Sequence, residues 1–147
     1  MPSVVATMAR SSAPEALTPQ AMPAAVAAFL ISRTEALLSR GVAGDRLVLD
    51  PGIGFGKTVE QNFALFSGQR ALRALGFPVL AGWSRKSSLG AVTGRAVDAR
   101  LAASIAAATV ALSHGANILR VHDVAPTVDA VKVWLASGDN GGHPLFV

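Results

Sequence analysis

Four short apolar runs, at residues 3–8, 46–50, 78–82 and 117–122, are each followed by a longer stretch with helical spacing. Their centres lie roughly thirty to forty residues apart, room for one helix and two loops between successive strands. Such β-α alternation implies parallel strand pairing with right-handed crossovers. The expected fold is therefore α/β, built from four βα units. That is enough for a small open sheet or for half of an eight-fold barrel.

The helices between the runs have recognisable ends. Val26, Phe29, Leu30, Leu37 and Leu38 mark an amphipathic helix over residues 24–40, closed by Gly41. Thr58 and Gln61 have the spacing of a capping box, in which a hydroxyl and an amide satisfy orphan N–H groups reciprocally. Phe63, Leu65, Phe66, Ala71, Leu72 and Leu75 carry that helix on to Gly76. A small-residue helix spans 98–113 with Leu101, Ile105, Ala108 and Leu112 along one side, able to pack on its own sheet or on a partner. The last helix runs over 127–135 with Pro126 near its start, and 137–147 reads as a flexible, glycine-containing tail. Residues 11–23 and 83–88 read as loops.

A chain of 147 residues supports one domain with a substantial core, and 51% hydrophobic residues exclude wholesale disorder. The formal charge of +4 comes from scattered basic side chains, so nucleic-acid binding is not expected, whereas an anionic small ligand suits it. No cysteine is present, which removes disulfide and thiolate chemistry. The longest apolar run, 101–112, is too short to span a bilayer, and the first ten residues lack the pattern of a signal peptide. The expectation is a cytoplasmic protein with no membrane segment.

The chemistry collects at the carboxyl ends of the strands, the ends that share one ligand-binding face in either architecture. Asp50 ends the second strand and leads into Pro51-Gly52-Ile53-Gly54-Phe55-Gly56-Lys57-Thr58. Lys86 lies in the loop after the third strand, and Arg120 and His122 close the fourth. Singly, each has a structural explanation: a turn cap, a solvated lysine, an Arg120–Asp123 pair, a hydrogen-bonded histidine. Together they describe a mouth. A buried carboxylate can accept two parallel N–H bonds from an amidine-like edge such as that of a pterin or guanine. Arg120 and His122, alternating along a strand with Val121 opposite, suit an oxyanion such as phosphate. Gly56-Lys57-Thr58 imitates the end of a P-loop, but that motif needs glycine where Pro51 stands. His114, His122 and His143 lack metal-ligand spacing.

Asp50 to Lys57, Ser84-Arg85-Lys86-Ser87 and Arg120-Val121-His122-Asp123 resemble, in order and spacing, the successive carboxyl-half motifs of dihydropteroate synthase. The resemblance implies the carboxyl-terminal half of a (β/α)8 TIM barrel that joins p-aminobenzoate to 6-hydroxymethyl-7,8-dihydropterin diphosphate. By that resemblance Asp50, Lys86 and Arg120 would bind the pterin, Arg120 and His122 the diphosphate, and Phe55 and Ser87 p-aminobenzoate. It further implies Mg2+ whose protein ligand lies in the amino-terminal half, and either a homodimer or a complementing half. Thr7-Met8-Ala9-Arg10 departs from the family's histidine-containing strand end, though Met8 could be a pterin-pocket or a core methionine. The isolated chain is expected to be inactive as a synthase. The alternative is a non-catalytic pterin-binding or oligomerisation module. On this reading residues 1–147 form one partial pterin-binding domain.

Overall fold

A computed structural model describes residues 4–7 and 17–138. In chain order the elements are β1 (Val4–Thr7), α1 (Met22–Leu38), β2 (Leu47–Asp50), α2 (Val59–Ser67), α3 (Arg70–Arg73) and β3 (Leu80–Ala81). They continue as α4 (Ser87–Thr93), α5 (Leu101–Ser113), β4 (Ile118–Leu119) and α6 (Val124–Ala136). The sheet is parallel, as the alternation predicts. β1 pairs with β2 in the register Val4↔Leu47 to Thr7↔Asp50, and β3 pairs with β4 through Leu80↔Ile118 and Ala81↔Leu119. A parallel bridge, Leu49↔Val79, joins the two pairs, with the Leu49 N–H donating to the Pro78 carbonyl at 2.8 Å. The strands thus follow one another in chain order, and their carboxyl ends open on one side.

The core explains why these strands are short runs of large aliphatics. Leu47 and Leu49 are fully buried, as are Met22, Val26 and Leu30, spaced four apart along α1. Each such side chain contributes roughly 1.5–3 kcal/mol by leaving water. α1 with the turn before it, Pro19–Leu38, is long and apolar enough to cross a membrane by composition alone. Here its buried stripe lies in the core cluster, while Arg33 and Glu35 stay exposed on the outer face. Trp83, just past β3, is 2% exposed and sits 4.2 Å from the Phe66 ring and 5.3 Å from Phe63, centroid to centroid. That aromatic cluster fixes the loop leaving β3 against α2.

Several boundaries differ from the sequence expectation. The capping box is present, with the Gln61 N–H donating to Thr58 Oγ1 at 3.2 Å and the Thr58 N–H to Gln61 Oε1 at 2.9 Å. The helix it opens does not run unbroken to Gly76, however, but stops at Ser67 and resumes as α3. A Cβ on Gly68 would lie 2.6 Å from Pro23 Cγ, and the buried Gln69 amide donates to the Ala111 carbonyl at 2.9 Å. Close approach of α1 and a tie to α5 therefore interrupt the α-helical ladder. The stretch after Lys86 is helical from Ser87, a turn the small polar residues there concealed. Along α5 the buried positions are Ser104, Ala107, Ala108, Ala111 and Leu112, whereas Leu101 is exposed. The predicted stripe is thus rotated, and the small residues pack against this chain's own elements. The last helix begins earlier than predicted, at Val124, so Pro126 lies in its first turn, where a missing N–H costs nothing. Met8 and the greater part of the predicted tail, 139–147, lie outside the described residues.

Candidate functional site

The loop after β2 is built by its glycines and its lysine. Gly52, Gly54 and Gly56 have φ of 69°, 80° and 60°, the left-handed region that glycine enters without steric cost. Asp50 Oδ1 accepts the Gly52 N–H at 2.8 Å, which turns the chain away from the strand end. Lys57 Nζ donates back to the Gly52 and Phe55 carbonyls at 2.8 and 3.2 Å. Lys57 therefore closes this loop from within. Burial lowers its pKa, Asp50 acts in the opposite sense, and Lys86 lowers it further.

Asn62 anchors the same loop to the body of the chain. It is 1% exposed on α2, its Oδ1 accepts the Gly54 N–H at 2.9 Å, and its Nδ2 donates to Ser88 Oγ at 3.1 Å. Sequence reading passed over it, although an asparagine inside a helix, where its propensity is poor, was an available signal.

Three strand ends converge above the sheet. The Asp50 carboxyl group is 1% exposed, and its Oδ2 lies 3.1 Å from Arg120 Nη1. The contact is an ion pair without hydrogen-bond direction: Oδ2 is buried and accepts no hydrogen bond. Arg120 reaches Asp50 by crossing Gly82, where a Cβ would stand 2.8 Å from Nη2. Lys86 Nζ sits 4.2 Å over the Phe55 ring centroid, a cation–π contact that spans from the loop after β3 to the loop after β2. Burial lowers the Lys86 pKa, Arg120 adds to that, and Asp50 opposes it. His122 is exposed, and its Nδ1 lies 3.0 Å from Ser84 Oγ. Asp50, Phe55, Ser84, Lys86, Arg120 and His122 together line a cavity of about 340 Å³.

The structure thus brings together five of the six residues singled out from sequence, namely Asp50, Phe55, Lys86, Arg120 and His122. Ser87 is not among the lining residues; it is exposed at the start of α4, next in sequence to Lys86. β4 ends at Leu119, so the strict alternation expected of 120–122 does not hold, and Val121 also lines the cavity. Arg120 does not pair with Asp123. Asp123 instead takes a two-pronged salt bridge from Arg85, Nε to Oδ2 at 3.1 Å and Nη2 to Oδ1 at 2.7 Å. That bridge raises the Arg85 pKa and holds the Asp123 carboxyl below its usual value. It also steadies Arg85 at a φ of 57°, whose N–H donates to Ser104 Oγ at 3.0 Å.

Residues 1–122 match the family described as pterin binding enzyme. The chain belongs to that family. Among curated relatives of this chain, the dihydropteroate synthase of Haemophilus influenzae is 48% identical over 114 residues, 78% of this chain and 42% of the relative. The dihydropteroate synthase of Neisseria meningitidis serogroup B is 47% identical over 119 residues. Among solved structures, Xanthomonas albilineans dihydropteroate synthase in complex with 7,8-dihydropteroate superposes with a TM-score of 0.85 at 42% identity. That match covers 92% of this chain and 50% of the other. This chain therefore spans about half the length of these relatives. Their TIM-barrel fold accounts for the parallel strands and the shared open end.

Proposed function

We propose that this chain is the carboxyl-terminal half of a dihydropteroate synthase barrel and carries part of its pterin and diphosphate contacts. The observation that carries the reading is the buried Asp50 Oδ2, which faces a cavity of about 340 Å³ without a hydrogen-bond donor while cations from two later loops line the same space. A pterin's N3–H and 2-amino group would supply the missing donors. Arg120 and Lys86 would hold the ring, and Arg120 with His122 would take the diphosphate. Phe55 would flank p-aminobenzoate, with Ser87 receiving its carboxylate. Breaking the pterin methylene C–O bond would release diphosphate with the bonding pair and leave a resonance-stabilised cation. The aniline nitrogen would then form the C–N bond and lose a proton. The protein's work is placement and stabilisation of departing negative charge, with no covalent nucleophile.

The family implies magnesium, but the described residues do not form a seat for it. Among the described residues no group of three His, Cys, Asp or Glu gathers, and Asp50 and Asp123 are engaged by Gly52, Arg120 and Arg85. In this reading the protein ligand of the metal belongs to the other half.

That half would dock at the open edge of the sheet. An apolar cleft of about 620 Å³ lies between β4 and α6, lined in part by Leu119, Val121, Val124, Val128 and Leu135. β4 is only half-buried, whereas every residue of β2 is buried. We assign the cleft to the next strand and helix of a closed barrel, which abolishes the open edge. Substrates of this kind are soluble anions, in keeping with a cytoplasmic protein. The experiment is a synthase assay on purified residues 1–147, with and without a complementing amino-terminal half, alongside titration with the pterin diphosphate. Binding without turnover by the chain alone is expected; robust turnover without the other half refutes the assignment. Binding that persists while no complementing half restores turnover favours the non-catalytic pterin-binding module.

A further inference from the structure

Ser84 is 6% exposed at the base of the cavity and meets the same residue twice. Its Oγ accepts the His122 backbone N–H at 3.1 Å and lies 3.0 Å from His122 Nδ1. The backbone N–H can only donate, so the serine's own proton has one partner among the described residues, the Nδ1 lone pair. A neutral imidazole that accepts at Nδ1 carries its proton on Nε2. Nε2 has no hydrogen-bond partner among the described residues, and His122 lines the cavity beside Arg120 and Lys86.

We propose that Ser84 is a positioning residue that fixes the His122 ring as the Nε2–H tautomer, so that the neutral ring presents a donor to a bound anion. The anion part rests on the diphosphate reading above; the tautomer does not. Without this hydrogen bond the ring could present a lone pair to the same oxygens and repel them.

His114 supplies a contrast within the same chain. Its Nδ1 lies 2.9 Å from the Phe66 carbonyl, which can only accept, so that ring carries its proton on Nδ1. The two described histidines are therefore opposite tautomers.

The test is 15N NMR of the imidazole nitrogens in the full chain at about pH 9, well above the ordinary imidazole value of ~6.5. Peaks are assigned with His114→Gln and His143→Gln. His122 is expected to show a protonated Nε2 and a bare, hydrogen-bonded Nδ1, with His114 reversed. A protonated Nδ1 on His122 would overturn the proposal, and this measurement needs no variant at Ser84. Titration with inorganic diphosphate supplies the second arm. Ser84→Ala should weaken binding roughly fivefold, the loss expected for one ordinary hydrogen bond, and Ser84→Thr should restore it. Ser84→Ala combined with His122→Ala should bind within about twofold of His122→Ala alone, because Ser84 acts through the ring. Additive losses would overturn the positioning role. Failure of the wild-type chain to bind diphosphate would overturn the anion part, while the nitrogen shifts still decide the tautomer.

Discussion

Asp50→Asn separates the binding role of this carboxylate from its role in the fold. Asparagine keeps the shape and leaves Oδ1 to accept the Gly52 N–H. The lost charge is ion-paired with Arg120 at 3.1 Å and acts more weakly on Lys57 and Lys86. At that distance the Coulomb energy is roughly 1 kcal/mol in water and about 5 kcal/mol at an effective dielectric constant of 20. The Arg120 side chain is 54% exposed, so the lower end governs. Relief of a buried charge offsets part of even that, and the melting temperature should move by only a few degrees. Ligand binding should respond very differently. The new amide turns a donor toward the cavity, where a pterin edge also brings donors, and Oδ1 is already occupied. Loss of two hydrogen bonds to a charged acceptor, at about 1.5 kcal/mol or more each, comes to ~3 kcal/mol, or roughly a hundredfold in affinity. Calorimetric titration with a pterin measures it, with thermal unfolding as the control. An unchanged pterin affinity in a folded Asp50→Asn protein would sink the assignment of Asp50 as the pterin acceptor.

Asn62→Ala should destabilise the chain by about 2–3 kcal/mol in denaturant unfolding, because it leaves the Gly54 N–H and Ser88 Oγ without their partner. The same variant should weaken p-aminobenzoate binding through a loosened Phe55, and a neutral result in both measurements would show that the glycine loop holds itself. The Arg85–Asp123 bridge predicts a pH dependence. Because Asp123 is lowered in the folded chain, the unfolded chain binds the extra proton. The contribution is therefore complete above the ordinary carboxylate value of ~3.9 and is lost as pH falls through the lowered one. Denaturation midpoints of wild type and Arg85→Met should differ near neutrality and converge in acid; a difference that persists in acid would assign the effect to packing.

The part of the site legible in the sequence was the part carried by strand ends. Asp50, Lys86, Arg120 and His122 were placed by counting apolar runs, and the same count gave their convergence, because parallel strands joined by crossovers must end on one face. Local chemistry was equally legible where it spans few residues, as in the Thr58–Gln61 capping box and the Gly41 helix end. Ser84, Asn62 and the Arg85–Asp123 bridge were not, since their side-chain partners lie 26 to 38 residues away, and the nearer Asn62–Gly54 contact depends on which helix face is buried.

What the sequence determined by itself was the alternation of elements, the acid at the mouth and the glycine turn that leads from it. Tertiary structure decided how those residues are used. It turned Lys57 inward as a clasp, sent Arg120 across Gly82 to Asp50 rather than to its neighbour Asp123, and broke the second helix at Gly68. It also set Ser84 against the ring of His122. The physical reason is common to all four. Backbone periodicity follows from local sterics and can be read along the chain, whereas the partner of a charged or polar side chain is selected by the few groups that packing brings within about 3 Å.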